Sequence, residues 1–220
     1  MPNWCDNQLS ITGPNSVIDK IEKIVKEESN NAENGLLQFF HPMPKELLDT
    51  EAGPIAKTKA EKNARQARKL EFGAENWYDW RVNNWGTKWE VCEFYGVDRQ
   101  YHSEQSEGES TISFAFSSAW APPIGAYEKF LENNSDCFLR AYYYEGGCDF
   151  MGLWEDGVDD CYAPSDYKST DDFWQDGIGS TLDDTFNITE SMAEYEQEEL
   201  ENEDVYKYSK GEKVNIGEEV

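Results

Sequence analysis

Apolar and polar positions change their spacing twice within the first forty residues. Residues 9–12 alternate between the two classes, as a half-buried strand does, and Gly13 and Pro14 end the run. Apolar residues then recur at three- and four-residue intervals over residues 17–25, which predicts a helix with one buried stripe. Residues 36–40 are mostly apolar and predict a strand or extended core segment, which must end at the prolines that follow.

Strand and helix signals continue to alternate up to residue 162. Residues 111–117 alternate cleanly, and Asp156-Gly157 is a favoured tight-turn dipeptide between two short runs, which predicts a hairpin. The predicted strands are 88–94, 111–117, 137–144, 150–155 and 158–162. The predicted helices are 55–70, 75–83 and 124–132.

This order of elements predicts an α+β fold in which two β-α-β halves share one antiparallel sheet, the ferredoxin-like split pattern. A helical insert over about residues 45–83 separates the halves. We expect a first domain over residues 1–162 and an acidic C-terminal extension over residues 163–220. Within the extension, residues 190–200 favour an exposed acidic helix.

The net charge of −26 is concentrated in one part of the chain. Residues 145–206 hold 20 acids and a single base, Lys168, whereas residues 1–144 hold 22 acids and 15 bases. A surface this negative repels nucleic-acid backbones and anionic membranes and attracts a basic partner, so we expect no direct duplex DNA binding. No apolar run approaches the roughly 18 residues of a membrane helix, and there is no secretory signal, so we expect a cytoplasmic protein.

One basic island runs against this trend. Lys62, Arg65 and Lys69 follow three- and four-residue spacing within the predicted helix 55–70 and would share one face. Two interpretations stay open. In the first, the helix contacts phosphates. In the second, it is a solvated surface helix, with or without docking against the acidic segment of the same chain. We favour the surface helix.

A tryptophan-rich string at residues 77–89 is the most unusual local feature. In one interpretation, aromatic rings beside cations form a recognition surface that stacks bases or makes cation–π contacts. In the other, which we favour, the tryptophans are core and the Asn-Trp-Gly turn is structural. The residues concerned are Trp80, Arg81, Asn84, Trp85, Lys88 and Trp89.

Signals for catalysis or cofactor binding are weak. The chain has two histidines, His41 and His102, and no phosphate-binding loop or nucleophile elbow. Its five cysteines include no C-x-x-C pair, so we expect reduced thiols rather than a disulfide or zinc framework. Residues 172–183 partly follow a calcium loop, but Trp174 stands where a ligand oxygen is needed. We therefore predict no enzyme, no cofactor and no metal site.

Four strings of residues, in order along the chain, are similar to one known family. They are Met-Pro-Asn-Trp-Cys-Asp-Asn at 1–7, Phe-His-Pro-Met-Pro at 40–44, the tryptophan string at 77–89 and Ala-Trp-Ala-Pro-Pro at 119–123. On these strings, residues 1–162 resemble the YubB/Api92-like family of bacteriophage and conjugative-plasmid proteins. The resemblance implies a ferredoxin-like domain and a mobile-element origin, and it brings no activity or catalytic residues. The acidic residues beyond 162 have no counterpart in it.

The acidic segment and the implied origin give the first functional hypothesis. A rigid array of carboxylates can imitate DNA phosphates, and a mobile element must survive host nucleases. We therefore expect a non-enzymatic inhibitor that blocks a basic host nucleic-acid-binding or defence protein. A solubilising tail that binds nothing is the other interpretation. The carboxylates predicted to bind the partner are Glu155, Asp156, Asp159, Asp160, Asp166, Asp171, Asp172, Asp176, Asp183, Asp184, Glu194 and Glu198.

The alternative hypothesis is a single-stranded nucleic-acid-binding module. It would use the Trp, Arg and Lys side chains of residues 77–89, the aromatic residues of the sheet and the basic helix. The acidic extension would then act as an autoinhibitory competitor for the same surface.

Overall fold

Six strands form one sheet in the computed structural model, which describes residues 3–27, 34–53, 58–102 and 108–193. The strands are β1 (Trp4–Pro14), β2 (Cys92–Tyr101), β3 (Glu109–Ala119), β4 (Phe138–Glu145), β5 (Phe150–Glu155) and β6 (Val158–Tyr162). Their order across the sheet is β2-β3-β1-β4-β5-β6, and every neighbouring pair is antiparallel. The predicted α+β class with an antiparallel sheet is therefore confirmed.

β1 lies near the middle of the sheet and shows why the alternating pattern matters. Cys5, Leu9 and Ile11 are fully buried, while the residues between Leu9 and Ile11 and on either side of them are partly exposed. Leu9 lies opposite Phe114 of β3 and Ala141 of β4, which are also buried. The period of two therefore places one face of three strands in the core.

Six α-helices belong to the first 162 residues of the described chain. They are α1 (Asn15–Lys26), α2 (Leu36–Phe40), α3 (Lys45–Leu48), α4 (Lys59–Phe72), α5 (Trp77–Trp85) and α6 (Ile124–Asn133). Aromatic rings connect α2, α6 and the sheet. The ring centroids of Phe40 in α2 and Phe130 in α6 are 4.5 Å apart, and those of Tyr127 in α6 and Trp154 in β5 are 5.5 Å apart. No helix in the described ranges combines the length and apolar character needed to cross a membrane.

Residues 36–40 form helix α2, so the prediction of a strand there is wrong. The cause lies far away in sequence. The carboxylate of Glu90 accepts hydrogen bonds from the backbone N–H groups of Leu37 at 2.6 Å and Gln38 at 3.1 Å. These groups sit in the first turn, where a helix supplies no internal acceptor. Gly35 leaves room for the Glu90 side chain, because a Cβ at that position would collide with it.

The other predicted strands differ from the structure mainly at their ends. The predicted hairpin forms as β5 and β6, and Asp156 and Gly157 both adopt positive φ angles, 48° and 92°, in its turn. β2 begins at Cys92 rather than at residue 88. Residues 87–91, just before β2, are not part of the strand. The Thr87 hydroxyl holds this segment by donating to the Ala119 carbonyl oxygen at 2.7 Å.

Helices α3, α4 and α5 lie between α2 and β2, in the part of the chain where we predict a helical insert. α4 begins where the Thr58 hydroxyl accepts the Glu61 N–H at 3.2 Å, and it ends at Gly73, whose φ is 76°. Glycine is suited to that left-handed position at a helix end. The predicted helix over 55–70 therefore starts and ends later, and its residues 55–57 lie outside the described part of the chain.

The chain divides into two compact units between Tyr162 and Ala163. In the second unit, helices α7 (Thr170–Gln175) and α8 (Gly177–Phe186) are followed by helical residues at 188–193. Phe173 is fully buried and meets Tyr167 edge-on at 5.0 Å between ring centroids. Of the helix predicted over 190–200, residues 190–193 are helical and the rest lie outside the described residues.

Candidate functional site

The tryptophan string begins as a capped helix. The Asn76 side-chain oxygen accepts the backbone N–H groups of Tyr78 at 2.9 Å and Asp79 at 3.0 Å, which satisfies two free donors at the start of α5. Gly86, with a φ of 88°, ends the helix after Trp85. Within these nine helical residues, side chains four positions apart lie on the same face of α5. The residues after Gly86 are no longer part of the helix.

Two of the predicted recognition residues, Trp80 and Trp85, are core residues, with 4% and 0% of their surfaces exposed. Their rings meet edge-on at 6.0 Å, and the Trp85 indole N–H donates to the His41 carbonyl oxygen at 2.8 Å. Asn84 is occupied as well, because its amide donates to the Trp80 carbonyl oxygen at 2.8 Å. These three side chains hold the insert together and present no free stacking face.

Arg81 is also buried, and it lies between two indole rings that share its face of the helix. Its guanidinium carbon lies 5.2 Å from the ring centre of Trp77 and 4.7 Å from that of Trp85, four residues on either side. Burial lowers the pKa of Arg81, and the nearby Glu90 charge opposes this effect. The cation is stabilised by indole faces rather than by a contacting carboxylate.

The last two residues of the set, Lys88 and Trp89, do reach the surface. The Lys88 ammonium lies 4.0 Å from the ring centre of Trp89 and 5.5 Å from that of Trp120. Trp4 joins the group, with its ring 6.1 Å from that of Trp89. We call Trp4, Trp89 and Trp120 the indole patch; their surfaces are 43%, 36% and 44% exposed. Sequence reasoning missed Trp4 and Trp120, because only the pairing of β1 with β3 brings them beside Lys88.

The basic island is engaged within the insert. Arg65 is buried and donates to the Gly53 carbonyl oxygen at 2.6 Å, and it pairs with Glu61 at 3.4 Å. Arg68 donates to the Glu75 carbonyl oxygen at 2.7 Å, while the Lys69 ammonium lies 4.0 Å from the Glu75 carboxylate. Arg65 and Arg68 therefore hold α4 in place. The geometry favours a structural role for these two cations over contact with phosphates.

The predicted partner-binding carboxylates of the first unit lie on the β5–β6 hairpin. Asp156 and Asp160 are exposed, and the structure shows no ion pair for either among the described residues. Asp159 is exposed too and accepts the Tyr143 hydroxyl at 2.6 Å, which fixes its orientation. Glu155 pairs with Arg140 on the neighbouring strand. The hairpin thus holds four carboxylates on ordered backbone.

In the second unit the predicted carboxylates divide into exposed and structural groups. Asp176 caps α8 by accepting the Ile178 N–H at 3.1 Å, and it also accepts the Tyr167 hydroxyl at 3.0 Å. Asp183 is buried and accepts both the N–H and the hydroxyl of Thr189, at 2.6 and 2.9 Å. The exposed members are Asp166, Asp171, Asp172 and Asp184, and Glu194 and Glu198 lie outside the described residues.

We expect Asp183→Ala to lower the free energy of opening around α8 by about 2 kcal/mol, because it leaves the Thr189 N–H without its acceptor. Amide hydrogen exchange over residues 177–190 measures this effect. Its neighbour Asp184 is exposed, so Asp184→Ala is the matched control and should change the same quantity by less than about 0.5 kcal/mol. Equal effects of the two substitutions would contradict the capping role.

The residues that resemble a calcium loop are helical rather than looped. Asp172 and Trp174 belong to α7, Asp176 lies between the helices, and Asp183 belongs to α8. Within the described ranges, no three or more histidine, cysteine or acidic side chains converge as metal ligands would.

The two histidines and the buried cysteines, Cys5 and Cys137, serve the packing of the fold. His41 Nδ1 lies 3.2 Å from the Asn84 carbonyl oxygen, and His102 Nε2 lies 2.9 Å from the Thr111 hydroxyl. Burial raises the pKa of the Cys5 thiol, and it raises that of Cys137 to about 11, so both stay protonated at neutral pH. This arrangement favours packing over nucleophilic chemistry at these positions.

No protein-family model and no curated protein sequence matches the chain. One solved structure with partial similarity is the crystal structure of a protein Api92 from Yersinia pseudotuberculosis. The two chains share 13% identity with a TM-score of 0.37, over 76% of this chain and 96% of that one. Similarity at this level assigns no activity and no partner.

Proposed function

We propose that the protein is a non-enzymatic binding protein whose acidic C-terminal region imitates nucleic-acid phosphates and blocks a basic nucleic-acid-binding protein. One observation carries the proposal. Between residues 145 and 193 there are 13 acids and one base, Lys168, and most of these acids lie on strands and helices. A basic groove attracts such a surface over a distance and gains speed and selectivity from the charge complementarity.

The hairpin supports the proposal because its carboxylates lie on paired strands and a tight turn, and one of them is held by a side-chain hydrogen bond. The turn fixes the backbone at Asp156, and the Tyr143 hydroxyl holds the Asp159 carboxylate. Pairing with β5 holds Asp160 opposite Leu153. Charges that need no reordering lose less free energy on binding than charges on a flexible tail.

The resemblance described above supports a proposal on the source of the protein, and the acidic surface supports one on the kind of partner. We propose that the chain comes from a bacteriophage or plasmid, acts in the host cytoplasm and blocks a host defence nuclease. We also propose that β1–α1–β2–β3–α6–β4 is a ferredoxin-like domain. The order β2-β3-β1-β4 and the helices that follow β1 and β3 support that assignment.

The test uses the immobilised protein in host lysate, with duplex DNA added as competitor and bound proteins released by salt. We expect basic nucleic-acid-binding proteins to be retained at low salt, and to be lost at high salt or when DNA is added. We expect Asp156→Asn/Asp160→Asn to weaken that retention about tenfold, since both lost charges lie on the proposed surface.

The matched control is Glu46→Gln/Asp49→Asn, which removes the same charge from exposed positions in the insert. It should leave retention nearly unchanged. If both double variants weaken binding equally, general net charge rather than the hairpin is responsible. If the wild-type chain competes with DNA for no basic protein at low salt, the proposed function is excluded.

A further inference from the structure

The indole patch is an exposed aromatic surface built from three distant parts of the chain. Trp4 opens β1, Trp120 follows β3, and Trp89 precedes β2. Each keeps more than a third of its surface in solvent, although indole side chains bury a large apolar area when they serve only the core. Trp85, in the same string, shows the contrast with its full burial.

Trp120 is held in an uncommon backbone conformation. Its φ of 76° lies in the left-handed region, which bulky residues rarely adopt. The Trp120 N–H donates to the Asn3 carbonyl oxygen at 3.0 Å, and the Thr87 hydroxyl bonds the adjoining Ala119 carbonyl oxygen at 2.7 Å. Backbone held in this way is concentrated at binding sites, because it presents a side chain where an unstrained turn would not.

Lys88 supplies a positive charge at the same place. Its ammonium contacts the faces of Trp89 and Trp120, and none of the carboxylates in the described ranges pairs with it, in a chain of net charge −26. By contrast, Arg99 is paired with both Asp19 and Glu22. The Lys88 ammonium therefore keeps donors for an external anion.

A ligand for this site must combine a flat ring with an anionic group. We propose that the indole patch and Lys88 bind a single unstacked nucleotide, with the base on an exposed indole face and the phosphate accepting from the Lys88 ammonium. Base–indole stacking tolerates any base, and the lysine adds the charge. The net charge of −26 repels every further phosphate, so the site suits one nucleotide better than a long strand.

The proposed nucleotide site and the proposed decoy surface use different side chains, so each proposal can fail without the other. The residues that would bind the nucleotide are an ammonium and indoles, whereas the proposed decoy uses carboxylates of the hairpin and of the second unit.

The test titrates ¹⁵N-labelled full-length protein with AMP and follows the indole N–H resonances, which single Trp→Phe variants assign. We expect the resonances of Trp4, Trp89 and Trp120 to shift. The Trp85 resonance should not, because its N–H is bound to His41 inside the core. Adenosine, which lacks the phosphate, should bind about tenfold more weakly, and Lys88→Met should weaken AMP by the same factor without affecting adenosine.

Lys129→Met is the matched control, because Lys129 is also partly exposed but pairs with Glu132 at 2.7 Å. It should leave AMP binding unchanged, and Lys88→Arg should retain most of it. Equal affinity for AMP and adenosine, or no shift confined to the indole patch, would overturn the proposal. A short oligoadenylate that binds through Lys88 more tightly than AMP would overturn the assignment of a single nucleotide.

Discussion

Trp85→Ala lowers the free energy of unfolding by about 3–5 kcal/mol, the range for truncating a fully buried tryptophan. Trp85 is 0% exposed and packs edge-on against Trp80. Its loss also leaves the His41 carbonyl oxygen without the indole donor and removes one of the two rings that flank the Arg81 guanidinium. A buried cation would then face a cavity. Urea unfolding, followed by circular dichroism, measures the effect.

Trp89→Ala provides the comparison within the same string. Trp89 is partly exposed and lies in the indole patch, so we expect its removal to cost about 1 kcal/mol or less. The two substitutions delete the same side chain four residues apart. If they proved equally destabilising, the division of the string into a buried half and a surface half would be wrong.

Glu90→Gln removes a pH dependence of stability that the wild type shows between about pH 4.5 and 7. Burial raises the pKa of Glu90 from 4.5 to about 7, against the opposing hydrogen bonds from Leu37, Gln38 and Val91. Because the folded-state pKa is the higher one, the stabilising contribution is complete below the unfolded pKa. It is lost as the pH rises through the folded pKa. We expect the stability of the wild type relative to Glu90→Gln to fall by about 3 kcal/mol across this window.

Chemical denaturation of both proteins at pH 4 and pH 8 spans this window, and comparing the two proteins cancels the general repulsion of the other acids. Glu132→Gln is a control of opposite sign. The Lys129 ammonium lowers the pKa of Glu132, so that carboxylate stabilises the fold above its unfolded pKa and less as the pH falls. A pH-independent difference between wild type and Glu90→Gln would show that the Glu90 side chain titrates normally in the fold.

Local patterns were sufficient for much of the sheet. Three features could be predicted because they depend on neighbouring residues or on a regular spacing of apolar positions. They are the alternation around Leu9, the turn at Asp156 and Gly157, and the apolar stripe of α1. The segment 36–40 could not be predicted in this way. Its helix depends on acceptors from Glu90, 53 residues from Leu37, and its apolar composition suits either structure.

The candidate sites divide similarly. The charge of residues 145–193 is visible in composition, but composition does not separate the buried Asp183 from the exposed Asp184 beside it. Likewise, residue type alone predicts the same degree of burial for Trp85 and Trp89. Their different roles depend on where Gly86 ends α5, and the neighbours of Trp89 depend on strand pairing.

The central place of β1 also sets an order of events when the chain is made. β1 is complete at Pro14, yet its two neighbours begin only at Glu109 and Phe138. While the chain emerges from its N-terminus, the apolar face of β1 stays without sheet partners until those later segments follow. The long sequence separation also makes sheet closure slow compared with the formation of α1. We expect a nascent chain halted before β3 to hold helices but no sheet, and to need protection from aggregation until synthesis resumes.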